Sequence, residues 1–278
     1  MSGKTIRLHR LFKHNRDRLL VVPLDHSVSD GPIGCNQKYL QIIKDISKST
    51  VDAIIVHKGR MRYLTENIYR NCSIVIHVSA STKYAADPNQ KYIVADVEDA
   101  IRRGADCISL HVNVGSVSEP TQLRDMAVVA DACDRYGIPL LAMMYARGEG
   151  VAGHPEKETL AHAANLAADL GADIVKLSMP KSTDDCHWVV LHSPLPILAA
   201  GGAQTEEAEF LNFIEEKVRA GVVGLAVGRN VFNSSNIPNF VNKIRMKMDN
   251  RRIGTRILNG MVYDRESEVG LELYNEPL

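Results

Sequence analysis

The chain has 278 residues, a length that fits one large α/β barrel or two ordinary domains. Its 33 lysines and arginines balance 33 aspartates and glutamates, so no basic excess points to nucleic acid or an anionic membrane surface as a partner. The five cysteines lack CxxC spacing and no long apolar run follows the basic N-terminus, a pattern that predicts a cytoplasmic protein with reduced thiols.

Strand and helix patterns alternate along the chain. After a short helix expected within residues 5–16, apolar segments predict strands at residues 19–24, 53–56, 73–78, 107–112, 139–144, 172–177, 197–200 and 223–227. Helical spacing predicts helices at residues 39–46, 61–69, 97–103, 121–136, 157–170, 184–190, 206–220 and 237–248. A long loop is expected after the third strand.

Eight short, non-alternating strands, most followed by a helix, predict one α/β domain, a parallel (β/α)8 TIM barrel, over residues 1–250. A doubly wound sheet in two domains stays open as the alternative. The charged segment 251–278 is expected to be an extension. It would cover the barrel, join a partner subunit in a homo-oligomer, or hang loose.

The C-terminal ends of barrel strands converge on one site. In chain order those ends carry Asp25, Lys58, Ser79, His111, Tyr145, Lys176, the pair Gly201 and Gly202, and the pair Gly228 and Arg229. The two glycine pairs follow the seventh and eighth strands, where backbone N–H groups approach a phosphate in such barrels. Turn geometry alone also accounts for either pair.

Lys176 ends an otherwise apolar strand, and lysine is almost never fully buried unless it is paired or used. A lysine in this position can attack a carbonyl carbon and form a Schiff base. The alternative is a side chain whose head reaches water, and Lys58 and Lys181 compete for the same role. His57, His77 and His111 also lie near strand ends, but they lack the spacing of a helical zinc pair, so no metal and no cofactor are expected.

Seven segments in order resemble the DhnA-type class I aldolases. They are VVPLDHSVSDGPI (21–33), HKG (57–59), LHVNVGS (110–116), LLAMMYARG (140–148), DIVK (173–176), AGG (200–202) and AVGRN (226–230). The segment HVSASTKYAADP (77–88) resembles one branch, the 2-amino-4,5-dihydroxy-6-oxo-7-(phosphooxy)heptanoate synthases of 3-amino-4-hydroxybenzoate biosynthesis. The chain departs from the family pattern after the lysine, at residues 179–182, and before the seventh strand, at residues 192–194.

The resemblance implies roles at matching positions. Lys176 falls on the Schiff-base lysine, Tyr145 on the proton donor and Asp25 on the acid/base carboxylate. Substrate contacts are implied for His26, Ser27, Val28, Ser29, Ala146 and Arg147, whereas Lys58 and His111 are predicted to contact substrate from their positions at strand ends. Phosphate contacts are implied for Gly201, Gly202, Gly228 and Arg229.

The implied reaction joins a phosphorylated ketone, dihydroxyacetone phosphate, to a small aldehyde, aspartate semialdehyde. Two other reactions of the family stay open: transaldol synthesis of 2-amino-3,7-dideoxy-D-threo-hept-6-ulosonate, and fructose-bisphosphate cleavage. A phosphosugar-binding protein without catalysis is the alternative from another class. A small phosphorylated molecule is the expected partner, with neither nucleic acid nor membrane.

Overall fold

Eight parallel strands close into a barrel in the computed structural model, which describes residues 3–249, 255–258 and 261–264. The strands are β1 Leu19–Pro23, β2 Ala53–Val56, β3 Ser73–His77, β4 Cys107–Val114, β5 Leu140–Ala146, β6 Ile174–Leu177, β7 Ile197–Ala200 and β8 Gly224–Ala226. Each pairs with its neighbours in chain order, and Leu19 of β1 opposite Gly224 of β8 closes the ring. The predicted TIM barrel is therefore confirmed.

The helices lie between the strands or close the barrel ends. They are α1 Gly3–Leu11, α2 His26–Ser29, α3 Asn36–Ile46, α4 Glu66–Asn71, α5 Val97–Arg102, α6 Glu119–Arg135, α7 Glu156–Asp169, α8 Thr183–Leu191, α9 Glu207–Arg219, α10 Arg229–Phe232 and α11 Ile237–Asp249. None of the helices in the described part of the chain is long and apolar enough to cross a membrane.

Two apolar layers hold this architecture together. The outer layer packs outward-facing strand residues, such as Leu20 and Ile54, against helix residues such as Phe240. The inner layer fills the barrel, and Leu8 and Leu11 of α1 pack into it, so α1 closes one end as a capping helix. Alternation along each strand therefore divides the residues between the two layers, although both faces are apolar.

Three aspartates, of which Asp52 is fully buried, fasten the N-terminal ends of alternate strands. The carboxylate of Asp52 accepts the N–H of Leu20 at 2.7 Å. Asp106, just before β4, accepts the N–H of Ile74 in β3 at 2.9 Å, and Asp173, just before β6, accepts that of Leu140 in β5 at 2.8 Å. The Gly-Ala-Asp sequence at 104–106 and 171–173 is thus a reused helix-to-strand loop whose acid satisfies a backbone donor.

The helix predicted at residues 61–69 is wrong as a single element. A 3₁₀ turn, Lys58–Tyr63, comes first, and α4 starts only at Glu66. Leu64 and Thr65 between them have extended backbone, and Leu64 packs against the outer apolar layer. An amide in extended backbone cannot continue the helical hydrogen-bond pattern, so the segment splits in two.

The loop predicted after β3 contains a two-residue antiparallel pair, Ser79–Ala80 with Tyr92–Ile93. Strands β4 and β5 also run two residues further than predicted, because their ladder continues to Val114 opposite Ala146. Tyr145, which lies beyond its predicted strand end, is consequently within the ladder, where the backbone is fixed. The segment 251–278 lies outside the described residues except for an antiparallel pair, Thr255–Leu258 with Met261–Asp264.

Candidate active site

A cavity of about 290 Å³, part of it open to solvent, lies at the C-terminal ends of the first four strands. Its walls carry mostly polar side chains: Asp25, Val28, Ser29, His57, His77, Ser79, Ala80, Ser81, Lys91 and His111. Four of the predicted site residues, Asp25, Val28, Ser29 and His111, are among them. Ser81 and Lys91 were not predicted, because they come from the loop that the short hairpin folds over the barrel.

Lys176 is buried inside the barrel, with 7% of its surface exposed. It stands on β6 opposite Met143 of β5, and its Nζ lies 3.9 Å from the thioether sulfur of that methionine. The same nitrogen lies 5.8 Å from the centre of the Tyr145 ring. Burial against a thioether and an aromatic ring leaves this amine beside apolar and weakly polar groups, the setting of a nucleophilic lysine.

Tyr145 links the lysine to the rest of the mouth. Its ring centre is 4.6 Å from that of His111 on β4, and the guanidinium carbon of Arg147 is 4.6 Å from the same ring. The phenol is therefore packed against a neighbouring imidazole and a cation that stays in water. Its partly buried position on a fixed ladder suits a group that moves a proton.

Asp25 follows β1, with 17% of its side chain exposed. Burial raises the pKa of this carboxyl, but the charges of His77, His26 and Lys176 outweigh burial, and the net direction is down. Burial also lowers the pKa of both histidines, so they are neutral at pH 7.

The histidines at the mouth act as neutral hydrogen-bonding groups. His77 is buried between Ser109, 2.9 Å from its Nδ1, and Ser79, 3.2 Å from its Nε2, and burial lowers its pKa to about 3. The His57 ring packs edge-on against it at 5.3 Å, and burial lowers the pKa of His57 as well. Within the part of the chain that the structure describes, no three His, Cys, Asp or Glu side chains are grouped to hold a metal ion.

Asn113, which the sequence reading did not single out, sets the orientation of His111. Its amide nitrogen donates to the carbonyl oxygen of Asn89 at 2.7 Å, so its oxygen faces Nε2 of His111 at 2.8 Å. His111 must then carry its proton on Nε2 and present Nδ1 as an acceptor. Burial lowers the pKa of His111 well below 6.5, which keeps this neutral form. The available signal was a polar residue two positions after His111 in a buried strand.

The glycines after β7 and β8 differ in what they offer. The N–H of Gly201 donates to the carbonyl oxygen of Ala226 at 2.9 Å, so it is committed to the barrel ladder. A side chain at Gly201 would lie 3.1 Å from the Cα of Val227, which explains the glycine sterically. The expectation that Gly201 supplies an N–H group to phosphate is therefore corrected.

Gly202 and Arg229 are open to solvent at the ends of these strands, whereas Gly228 is buried. Gly202 is exposed with φ +68°, and Arg229 is exposed at the start of α10. Asn230 ties the two loops together, because its amide nitrogen donates to the carbonyl oxygens of Gly201 and Ala203. This clamp was also not predicted from the sequence.

Gly228 also makes room for a neighbour. A Cβ there would lie 2.7 Å from the His26 ring, which itself packs against Phe232. His26 and Ser27 are partly buried on α2, between the cavity and the β8 loop.

The structure places the remaining predicted residues unevenly. Ala146 ends β5 and packs against the outer apolar layer, whereas Arg147 is exposed beside Tyr145. Lys58 is exposed and outside the cavity wall, and its charge acts on Asp99 of α5, so the structure does not bring it to the site. Lys181, the other competitor of Lys176, is exposed as well.

Comparison with known protein families decides what this barrel is. The family model described as DeoC/LacD family aldolase matches residues 19–234, most of the chain. The chain belongs to the DeoC/LacD aldolase family. As a member of this family it is an aldolase or a related transaldolase, and the resemblance seen in its strand-end motifs is confirmed.

Relatives of this aldolase carry two names. It is 42% identical over 233 residues to a 2-amino-4,5-dihydroxy-6-oxo-7-(phosphonooxy)heptanoate synthase of Streptomyces griseus, covering 84% of this chain and 85% of that protein. It is 40% identical over 234 residues to a 2-amino-3,7-dideoxy-D-threo-hept-6-ulosonate synthase of Archaeoglobus fulgidus, covering 84% and 86%.

Among solved structures, the fold matches an archaeal fructose-1,6-bisphosphate aldolase whose catalytic lysine is covalently bound to the carbinolamine intermediate. The TM-score is 0.78 at 23% identity, over 88% of this chain and 99% of that one. At this level of identity the likeness speaks for the barrel fold.

Proposed function

We propose that the chain is a class I aldolase in which Lys176 forms a Schiff base with the ketone of dihydroxyacetone phosphate. The observation that carries the proposal is the Nζ of Lys176, which is buried inside the barrel beside the thioether of Met143 and the ring of Tyr145. The covalent carbinolamine named for the archaeal aldolase of the same fold supports it by analogy.

In the proposed reaction, neutral Lys176 attacks the ketone carbon and a proton reaches the ketone oxygen, giving a carbinolamine. Loss of water from the carbinolamine gives the imine. Tyr145 supplies the proton for the departing water, and its phenolate then takes a proton from the adjacent carbon, which restores the phenol. Asp25 accepts the proton that leaves the lysine nitrogen and returns it on hydrolysis. The resulting enamine attacks the aldehyde carbon. Tyr145 protonates the new alkoxide, and water then hydrolyses the imine to release product and Lys176.

The donor phosphate is proposed to lie at Gly202, Gly228 and Arg229. Gly202 and Gly228 allow the backbone of both loops to approach an anion closely, and the exposed guanidinium of Arg229 adds a positive charge. Asn230 fixes the distance between the loops. Gly201 is proposed to shape this cradle, without donating its own N–H.

The acceptor is proposed from the product named for the Streptomyces relative. That seven-carbon product has hydroxyls on carbons 4 and 5, a ketone on carbon 6 and a phosphate on carbon 7. Breaking the bond between carbons 4 and 5 by retro-aldol chemistry gives dihydroxyacetone phosphate and aspartate semialdehyde. These are the substrates we propose, in a reducing, cytoplasmic setting supported by five free cysteines.

Borohydride reduction in the presence of dihydroxyacetone phosphate tests the proposal. We expect an irreversible adduct on Lys176 by peptide mapping, no adduct in Lys176→Met, and a normal adduct in the control Lys181→Met, because Lys181 is exposed. An adduct on another lysine contradicts the assignment. Activity that a chelator abolishes and zinc restores would place the protein in the metal-dependent class.

The Archaeoglobus relative's name supports a second reaction, transaldol synthesis of the heptulosonate. A panel of donors and aldehydes with the products identified by mass spectrometry separates the candidates. A clear preference for glyceraldehyde 3-phosphate over aspartate semialdehyde, at equal concentrations with dihydroxyacetone phosphate, would indicate a fructose-bisphosphate aldolase.

A further inference from the structure

Lys91 is the cationic side chain in the cavity wall that the proposed mechanism does not use. It faces the same space as Asp25, His77 and His111, although it comes from the loop between β3 and α5. Its Nζ donates to the carbonyl oxygen of Pro88 at 3.0 Å, which leaves two further protons for a ligand.

The backbone beside Lys91 is held by the barrel. The carbonyl oxygen of Asn89 accepts from the amide nitrogens of Asn113, at 2.7 Å, and Gln122, at 3.1 Å. Both of these side chains are buried, 0% and 2% exposed. One residue after Lys91, the pair Ser79–Ala80 with Tyr92–Ile93 begins. Two buried amides and a short ladder therefore fix a loop that would otherwise be free to move.

A second cation, Arg147, lies at the same mouth. Its guanidinium carbon is 4.6 Å from the centre of the Tyr145 ring, which is 4.6 Å from that of His111, and His111 and Lys91 both line the cavity. Burial lowers the pKa of Lys91, and the positive charge of Arg147 acts in the same direction. Asp30 and Asp87 act on Lys91 in the opposite direction but more weakly, and among the described residues neither Lys91 nor Arg147 forms a salt bridge. Two cations at one mouth, neither of them in a salt bridge among the described residues, form a site for an anion.

The backbone at Arg147 is held by the barrel. Its backbone N–H donates to Val114 at 2.9 Å, and its guanidinium lies over the Tyr145 ring. The next residue, Gly148, has φ +121°, and a Cβ there would lie 2.2 Å from the carbonyl oxygen of Gly115. This close crossing of the β4 and β5 loops fixes where the guanidinium leaves the barrel.

We propose that Lys91, together with Arg147, binds the carboxylate of the acceptor aldehyde and so determines acceptor specificity. This inference rests on the proposed aldol function. Lys91 and Arg147 lie on the loops after β3 and β5, whereas the glycine loops follow β7 and β8. The donor phosphate and the acceptor carboxylate would therefore occupy opposite sides of the mouth. The planar guanidinium matches a carboxylate with two parallel hydrogen bonds, and the lysine supplies a third.

The test compares aldehydes that differ in their charged groups, with dihydroxyacetone phosphate saturating. Aspartate semialdehyde and succinic semialdehyde carry the carboxylate, butanal carries no charge, and glyceraldehyde 3-phosphate carries a phosphate. In Lys91→Met we expect kcat/KM to fall roughly 10- to 100-fold for the two carboxylate aldehydes, the effect of losing a hydrogen bond to a charged group. We expect a change under about threefold for butanal, and an unchanged KM for the donor.

Two matched variants complete the experiment. Lys91→Arg keeps the charge and should retain most of the preference for carboxylates. Lys83→Met, on the same loop but fully outside the cavity wall, should behave as the wild type. A similar loss for butanal and succinic semialdehyde, or no loss at all, would overturn the inference, as would a larger loss for glyceraldehyde 3-phosphate than for the carboxylates.

Trapping with borohydride separates failure of this inference from failure of the proposed function. If wild type and Lys91→Met form the Lys176 adduct at the same rate but show the same acceptor preference, only the role of Lys91 is wrong. If the wild type forms no adduct with dihydroxyacetone phosphate, the aldol proposal fails first and this inference falls with it.

Discussion

Two buried lysines in this barrel illustrate how surroundings decide the use of a side chain. Lys217 on α9 is 1% exposed, and its Nζ donates to the carbonyl oxygens of Pro180 at 2.6 Å and Lys181 at 3.3 Å. These hydrogen bonds tie α9 to the loop after β6. Lys176 has a thioether and a ring as neighbours instead. Its lone pair is therefore not tied to a structural hydrogen bond with a carbonyl oxygen, which suits the nucleophile that we propose.

Replacing Tyr145 by Phe should separate imine formation from turnover. The ring keeps its packing against His111 and Arg147, so we expect the fold and the borohydride adduct on Lys176 to persist. Turnover should drop by about 10²–10⁴-fold, the usual worth of a general acid–base group. The measurements are steady-state kcat and the amount of trapped adduct. A loss of less than about threefold would assign the proton transfer to another group.

At the residue scale, the sequence predicted the groups that end strands but not those that support them. Asp25, Tyr145 and Lys176 could be found because a barrel brings strand ends together whatever the loops do. Lys91, Asn113 and Asn230 could not, since each matters through contacts with residues 20 or more positions away or through the path of a long loop. Gly201 was misread for the same reason: its N–H is used by a neighbouring strand.

Element boundaries follow a similar rule. The strands β2 and β7 match their predicted bounds, because apolar runs between polar turns define them. The extra length of β4 and β5 arises from pairing between them, which neither segment encodes alone. The short hairpin over the mouth pairs residues 79–80 with 92–93 across a loop without any apolar alternation, so local pattern gave no signal.

The aspartate loops provide a prediction at the element scale. Asp173→Ala would leave the N–H of Leu140 without its carboxylate acceptor and remove the partner 3.3 Å from Lys4 of the capping helix. We expect a loss of about 1–3 kcal/mol in the free energy of unfolding, measured by urea denaturation. Asp173→Asn keeps an acceptor oxygen and should lose less.

The control for this prediction is Asp131→Ala, an exposed position on α6, which should change stability by under about 0.5 kcal/mol. Equal effects at Asp173 and Asp131 would show that the loop aspartates do not fasten the strands.

For the whole molecule, the same neutral histidines serve the active-site cavity and make the stability of the barrel depend on pH. His26, His57, His77 and His111 all have pKa values lowered by burial, and all four stand at the C-terminal mouth. Keeping them neutral supplies hydrogen-bond acceptors to the cavity without adding positive charge beside Lys176. The same arrangement means that the unfolded chain binds protons more readily than the folded one once the pH falls below about 6.5.

Acid should therefore destabilise the protein through these residues. For His77 the loss in the free energy of unfolding can be calculated, because both of its pKa values are given. His77 has a pKa of about 3 in the folded protein and about 6.5 in the unfolded chain. Its contribution to the free energy of unfolding is therefore complete above pH 6.5 and is lost as the pH falls toward 3. Between pH 7 and pH 5 this one group accounts for about 2 kcal/mol of lost unfolding free energy. The lowered pKa of Asp25 acts below its ordinary value near 3.8, outside this interval.

The measurement is urea denaturation at pH 7 and pH 5. We expect His77→Gln, whose amide can still bond to Ser109 and Ser79, to be less stable than the wild type at pH 7 but to lose about 2 kcal/mol less between the two pH values. His162→Gln, an exposed position on α7, should keep the wild-type pH dependence. If the wild type were equally stable at pH 7 and pH 5, the mouth histidines would not be held neutral, and Lys176 would have cationic neighbours that the proposed chemistry does not tolerate.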